Sequence, residues 1–583
     1  MRCRLAVIGI GFFLFCCTPV GGEPLDSHAI PSVVVGCPTV PSAAIEACAS
    51  LPVPTPAQVA PCGSPPTVGT DLGAQINYVQ CLYQIALSCG PLTILCNSGG
   101  GPIATQIHVR DNNTLRLGPG DYPAAITTQY DGTARVGTTV MLVGDNSSVI
   151  GSGWGTILRE TSNSQAAYGG LVVIRTFLDA QNGASLSNKN VVIRDLQIAS
   201  GGSSVIGNGA SAAITLGNAQ HALVTNVYLN NTHAIGIAVG SSSASGNHAD
   251  SATVSQCLFD GVGAVSLAAV NARHFTFANN RFRAGGNAVG GNVNTPYIDL
   301  EPNTATDVMQ DFVIDGNILE MISAPPNPGT GAPTIAGIAI QGTNTPYGPG
   351  VLSNNIFLGG TGANRPANGG GIFLGAENVT AIANTVKWNA NEGIRVSGHR
   401  NVVVNNYVQG VGDWAMRVDG SYNHIMGNTI EGSAPDSNGS YYPQIVECDP
   451  TVTPCASPTA DYNYYSGNHL STQFQPSGGA YLNARILLAG AHSVAYDNVI
   501  DGAHQTTRGS SVVIPKQISG DYTVGATDQI ILANATSSLT VTLPTARPVP
   551  LIPGTDASLV PPNYGGDMGG CSRSRRLMAV VAA

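Results

Sequence analysis

A short phrase, Gly-Ile-x-Val-x-Gly, returns along this chain and restricts its fold more than any other feature. It reads Gly393-Ile394-Arg395-Val396-Ser397-Gly398, and 22 residues later Ala415-Met416-Arg417-Val418-Asp419-Gly420. Further copies lie at 213–217, 236–240, 264–268, 297–301, 337–342, 371–375 and 485–489, with the register between the last two groups of copies, 420 to 485, left ambiguous. A second phrase, apolar-x-Asn-x-apolar, follows the first, with Asn280, Asn317, Asn355, Asn384, Asn406, Asn428, Asn468 and Asn498 among its members. Self-similarity at such a period marks a stacked-repeat architecture. A 22-residue unit accommodates three short strands and three bends. Longer units carry insertions at one bend, which in repeat proteins usually fall on the binding face. Asn suits the bends, because its backbone tolerates the left-handed region and its amide can bond the Asn of the next coil.

The length of 583 residues would suggest several domains. A solenoid escapes that expectation, because each coil packs only on its neighbours. Abundant Gly, with only 10% charged residues, fits many tight turns between short strands.

Residues 1–22 read as a secretory signal, with basic Met1-Arg2-Cys3-Arg4, an apolar run too short to span a bilayer, and small residues before a cleavage point after Gly22. A lipid anchor on Cys17 is the alternative, although Phe15-Cys16 is a poor context for it. No later stretch has the length and hydrophobicity of a membrane helix, so the expected location is extracellular. Residues 23–100 form a Pro- and Cys-rich lead-in. Its Cys37, Cys48, Cys62, Cys81, Cys89 and Cys96 are an even set in an exported chain and are disulfide candidates, with the pairing open. Zinc is the other reading, but close Cys pairs and His partners are lacking. Cys448 and Cys455 are candidates for a local bridge, and Cys257 for buried packing. Leu72, Ile76, Val79, Leu82, Ile85 and Leu87 make a helical stripe. A short capping helix there would cover the first coil, whose edge otherwise presents unpaired backbone. The β-helix is expected over 101–505, a small β module over 506–547, and a disordered tail over 548–583.

A net charge of −10 argues against a nucleic-acid partner. Positive charge comes almost wholly from Arg, which suits planar recognition of carboxylates such as those of uronic acids; codon composition is an equal explanation.

These repeats, with Leu115-Arg116-Leu117-Gly118-Pro119-Gly120-Asp121-Tyr122 and Val149-Ile150-Gly151-Ser152-Gly153, resemble the pectate-lyase-like superfamily, especially its repeat family of carbohydrate-binding and sugar-hydrolase proteins. The resemblance covers roughly residues 107–502. It implies an all-β, right-handed parallel β-helix and a polysaccharide partner. Neither the Asn-Thr-Asp, Asp-Asp and His-Gly set of polygalacturonases nor the Asp-Pro-His-Glu run of alginate epimerases is present, so no family catalytic set transfers.

In the repeat phrase the Ile and Val face inward and the x residues outward, by strand alternation. The outward residues form a column: Thr215 and Gly217, Ala238 and Gly240, Ser266 and Ala268, Asp299 and Glu301, Ala339 and Gln341, Phe373 and Gly375, Arg395 and Ser397, Arg417 and Asp419. Five of the last ten are ionisable in a chain with few charges. Asp299 and Glu301 are the acid–base candidates. Their Cα spacing of about 6.5 Å suggests carboxyl groups standing apart around a water, as inverting glycosidases require. Calcium binding or simple solvation are the other readings of the pair, and calcium is the only cofactor suggested. Arg395 and Arg417 fall on adjacent coils and call for an anionic partner, Asp419 for one and a substrate carboxylate for the other. A lyase would use one of them to abstract a proton; a surface network is the bland alternative. Gln341, Phe373, Asp419, Asp413, Trp414 and Lys387 are candidate substrate contacts, with Trp388 beside Lys387. His399, Arg400 and His424 fall at bends. The expected function is a hydrolase or lyase of an acidic glycan, with a non-catalytic adhesin or structural spacer as alternatives.

Overall fold

In a computed structural model, the described residues are 57–128, 139–161, 172–176, 188–200, 212–320, 335–433, 444–471 and 486–508, with breaks inside these spans, and short strands at 32–35, 516–518, 522–523, 531–533, 541–542 and 580–581. Each repeat forms one turn of a right-handed parallel β-helix. Apolar pairs such as Ile394 and Val396 are fully buried and stack on Ile372 and Leu374 below and on Met416 and Val418 above. The strands carrying the first phrase build a 13-stranded parallel sheet, called here the front sheet. The two other strands of each coil, for example Val402–Val404 and Tyr407–Val411, join a 28-stranded back sheet that folds at the Asn bend.

The Asn residues form a continuous buried ladder. Asn280 donates through Nδ2 to Oδ1 of Asn317 at 3.0 Å, and the same bond repeats through Asn355, Asn384, Asn406, Asn428, Asn468 and Asn498 at 2.9–3.0 Å. The left-handed conformation falls one residue earlier than expected, at Asn279, Asn354, Ala383, Asn405 and Asp497. Cys257 lies at the foot of this ladder, where its backbone N–H donates to Asn280; it is free and buried, and burial pushes its thiol pKa up to about 12.

The glycine opening the phrase has a steric cause. A Cβ on Gly337 would stand 2.4 Å from the Phe357 ring, and one on Gly393 2.6 Å from Val408 Cγ1 and 2.5 Å from the Ala415 carbonyl. Gly393→Ala should therefore destabilise the fold by about 1–3 kcal/mol through overpacking. A denaturant titration showing no change would contradict this account.

The capping helix is present at Leu72–Gln80, with Asp71 as N-cap accepting from Gly73 and Ala74. A π turn, Cys81–Ala86, continues it. Asn77 donates to Gln106 O and accepts from His108 N, while Gln80 donates to His108 O and accepts from Arg110 N. These amides saturate the free edge of the first front strand, Ile107–Val109. Cys62 and Cys81 form a disulfide, and Cys96 is also disulfide-bonded. Cys37, Cys48, Cys89, Cys448 and Cys455 lie outside the described residues. The parallel ladder reaches back into the lead-in, since Thr93–Cys96 pairs with Thr114–Leu117 and with Ser32–Val35. At the other end Ala503–Arg508 turns back antiparallel on Val494–Ile500. Within the expected C-terminal module, Lys516–Ile518 pairs with Ile531–Ala533 and Tyr522–Thr523 with Val541–Thr542. Val580–Val581, in the expected tail, pairs with Leu532 and Ala533. Among the described residues no helix is long and apolar enough to cross a membrane.

Candidate functional site

Strand pairing fixes the outward column of the front sheet. It runs His108, Leu142, Arg175, Thr215, Ala238, Ala268, Asp299, Ala339, Phe373, Arg395, Arg417, Val446 and Leu487. One correction of register is needed. Leu267, not Val265, stacks on Ile237, so Ala268 rather than Ser266 continues the column beside Ala238. The sequence pattern misled because Val265-Ser266-Leu267 and Leu267-Ala268-Ala269 both alternate. Long inter-strand segments occur on both sides of the front strands: 284–297, 321–334 and 472–485 precede one, whereas 177–191 and 448–463 follow one.

Asp299 lies between Ile298 and Leu300, both fully buried in the interior, so its side chain points out from the core. It is nevertheless only 6% exposed, while Glu301 is exposed. Ala268 and Ala339 flank it on the adjacent coils. Gln341 donates through Nε2 to Asp299 Oδ1 at 3.1 Å. Burial, foremost, and the Glu301 charge push the Asp299 pKa up to about 7, and a side-chain hydrogen bond with Glu301 favours its protonated form. The two side chains thus approach each other on one face of the strand.

Arg395 and Arg417 stack on adjacent coils, but the chain supplies their anions. Asp419 bridges them, Oδ2 to Arg395 Nε at 3.0 Å and Oδ1 to Arg417 Nε at 2.9 Å. Glu392 adds a contact to Arg417 Nη1 at 3.4 Å. Two guanidinium groups are matched by two carboxylates, which leaves no unmet demand for a substrate carboxylate there. Phe373 and Trp414 also serve these cations: Arg395 lies 5.6 Å from the Phe373 ring centre and Arg417 5.1 Å from that of the buried Trp414. Asp419→Ala should strand Arg395 and leave Arg417 with Glu392, lowering stability by about 1–3 kcal/mol and creating affinity for small anions; a variant as stable as the parent would show that the bridge is dispensable.

Lys387 belongs to a different surface. It ends a back-sheet strand, Thr385–Lys387, and its ammonium lies 5.2 Å from the Tyr407 ring and 5.9 Å from that of Trp388. Tyr407 and Gln409 there donate to Glu431 at 2.5 and 3.0 Å. Asp413 lies outside the described residues. His399 accepts from Ser421 N at 2.9 Å and Arg400 pairs with Glu377, both at bends, while His424 begins a back-sheet strand.

Three features escaped sequence reasoning. Glu447 points into the core in register with Val418, its carboxylate taking hydrogen bonds from Asn463, Tyr465, Ala489 N and Gly490 N at 2.8–3.1 Å. Only a settled register through 420–485 would have exposed it. Tyr422, Tyr462 and His492 stack at successive bends with ring centres 5.0 and 4.4 Å apart. These rings form a stacked ladder at the bends. Arg175, in Val173-Ile174-Arg175-Thr176, was hidden because Thr176 replaces the second apolar residue of the phrase. Among the described residues no group of three or more metal-binding side chains is gathered.

No family model matches the chain, and no curated protein matches it in sequence. Solved structures similar to it include the A-module of a mannuronan C-5 epimerase from Azotobacter vinelandii, at 14% identity and TM-score 0.36, covering 83% of this chain and 97% of that one. The tailspike protein of E. coli bacteriophage HK620 in complex with a pentasaccharide matches at 12% identity and TM-score 0.45, covering 82% and 76%. A hyperthermoactive exopolygalacturonase from Thermotoga maritima matches at 12% identity and TM-score 0.34, covering 75% and 90%.

Proposed function

We propose that the front-sheet column is the floor of a polysaccharide-binding groove in an exported protein, and that Asp299 and Glu301 hydrolyse a glycosidic bond there. The observation that carries this reading is the placement of Asp299: an outward, almost wholly buried carboxyl, hydrogen-bonded to a second carboxyl and to Gln341, flanked on the adjacent coils by Ala268 and Ala339. A structural carboxylate would instead find a cation or several backbone donors, as Glu447 does. Protonated Asp299 is the general acid toward the leaving glycosidic oxygen. Exposed Glu301 is the base that takes a proton from water. A calcium ion held by this pair would need both carboxyls ionised, which the burial of Asp299 opposes.

The test is a panel of polysaccharides with reducing ends and ultraviolet absorbance both recorded. Hydrolysis gives reducing ends alone, whereas a lyase gives an unsaturated product that absorbs. Glu301→Gln should lower turnover by about a hundredfold or more. Glycan binding without cleavage in the parent chain would favour an adhesin, and unchanged turnover in both Asp299→Asn and Glu301→Gln would remove the site assignment.

A further inference from the structure

Arg175 lies on the same outward column as Asp299, four coils below it. Neighbouring coils are about 4.8 Å apart, which puts the two Cα atoms about 19 Å apart along the groove. The three positions between them are Thr215, Ala238 and Ala268, a floor of small side chains. Leu142 occupies the column on the coil below Arg175.

Arg175 is only partly exposed, and part of its guanidinium is held out of water without compensation. Its Nε is buried and has no hydrogen-bond partner among the described residues, and burial lowers its pKa from the ordinary value. None of the described acidic residues pairs with it. Other arginines of the chain behave differently: Arg159, Arg194, Arg273, Arg281, Arg283, Arg395, Arg400 and Arg417 all have carboxylate partners. A desolvated guanidinium without an anion is unfavourable, and its planar fork of donors matches a carboxylate or a sulfate in two parallel bonds.

We propose that Arg175 is an anion subsite of the groove, which takes the carboxylate or sulfate of a glycan chain lying over Thr215, Ala238 and Ala268 with its scissile bond at Asp299. This rests on the hydrolase reading of the groove and adds the substrate class to it. It also moves the acidic-glycan contact from Arg395 and Arg417, which are already neutralised, to the opposite end of the small-residue floor. A linear oligosaccharide of a few units spans that distance, so one chain would touch the anion subsite and the acid pair together.

The test uses the full chain carrying Asp299→Asn, to stop turnover, with and without Arg175→Gln or Arg175→Lys. Binding is measured by calorimetry for oligogalacturonate, oligomannuronate, their carboxyl-reduced counterparts and a sulfated galactan oligomer. The expected result is that at least one anionic oligomer binds roughly tenfold or more tightly than the neutral ones. Arg175→Gln abolishes that preference and leaves neutral binding unchanged, while Arg175→Lys keeps part of it. The anionic oligomer that shows the effect tells carboxylate from sulfate. A second readout guards against misfolding. Arg175→Met should melt at a temperature no lower than the parent, because it removes an uncompensated, partly buried cation. Retention of the full anionic preference in Arg175→Gln, or equal weakening toward neutral and anionic chains, would overturn the subsite. Neutral chains bound in preference to anionic ones would overturn the subsite and leave the hydrolase reading standing. Failure to bind any glycan would overturn both.

Discussion

Asp299→Asn should lower glycan hydrolysis by about a hundredfold or more and should make the folded chain more stable above pH 7. The two effects share one cause. Burial raises the Asp299 pKa to about 7 from an ordinary 3.8, so the folded state holds this proton more tightly than the unfolded state does. The stability contributed by this group is therefore complete below about pH 4 and is lost as pH rises to about 7. Asn stays neutral throughout and avoids the loss. Denaturant titrations of parent and variant should converge near pH 4 and differ at pH 8, with the variant ahead by a margin on the order of 2–4 kcal/mol. Catalysis follows the same proton. The acid form of Asp299 declines above pH 7, and the parent's turnover should fall with it. If Asp299→Asn is less stable than the parent at pH 8, the carboxyl is a structural anion and the general-acid role fails.

The larger structural effect is expected at the centre of the Asn ladder. Asn406 accepts from the backbone N–H and the side-chain amide of Asn384, and donates to Ala381 O, Val404 O and Asn428 Oδ1. All of this is buried, and Ala at 406 would leave a backbone N–H, a carbonyl and a neighbouring amide unsatisfied together. At about 1–3 kcal/mol for each stranded group, Asn406→Ala should cost about 3–5 kcal/mol. Asn406→Asp should be worse at neutral pH, because a carboxylate there would face the acceptor Oδ1 of Asn428 with no proton to give. Hydrogen exchange on the coils around 384, 406 and 428 reads the effect locally. Unchanged protection there would mean that backbone pairing alone holds the bend.

The coil architecture was readable because it repeats. Ile394 and Val396 recur in a phrase that only a period-2 strand can bury, and Asn406 recurs where only a bend can stack it. The capping helix was readable from Leu72 and Ile76, although nothing in the stripe revealed that Asn77 and Gln80 would bond the first strand's edge. The site was less legible because side-chain pairing is not periodic. Spacing placed Arg395 and Arg417 on adjacent coils, but the orientation of Asp419 between them decided that they neutralise internally. Spacing likewise put Asp299 beside Glu301 without showing that one is covered and the other open. Arg175 broke the phrase by one residue and was lost. Where the register was ambiguous, between 420 and 485, the inward Glu447 went unnoticed.

The covered edges of the two sheets have a wider consequence. A parallel stack grows by adding strands to its last open edge, and the same growth carried out between molecules makes a filament. Here side-chain amides of Asn77 and Gln80 occupy the first edge of the front sheet, and an antiparallel return strand, Ala503–Arg508, occupies the last edge of the back sheet. Between these protected edges, the number of coils is a free variable. A whole 22-residue turn duplicated inside the ladder would meet the same neighbours above and below, so evolution or design can lengthen the groove as one extends a ruler, by inserting units rather than redesigning its ends.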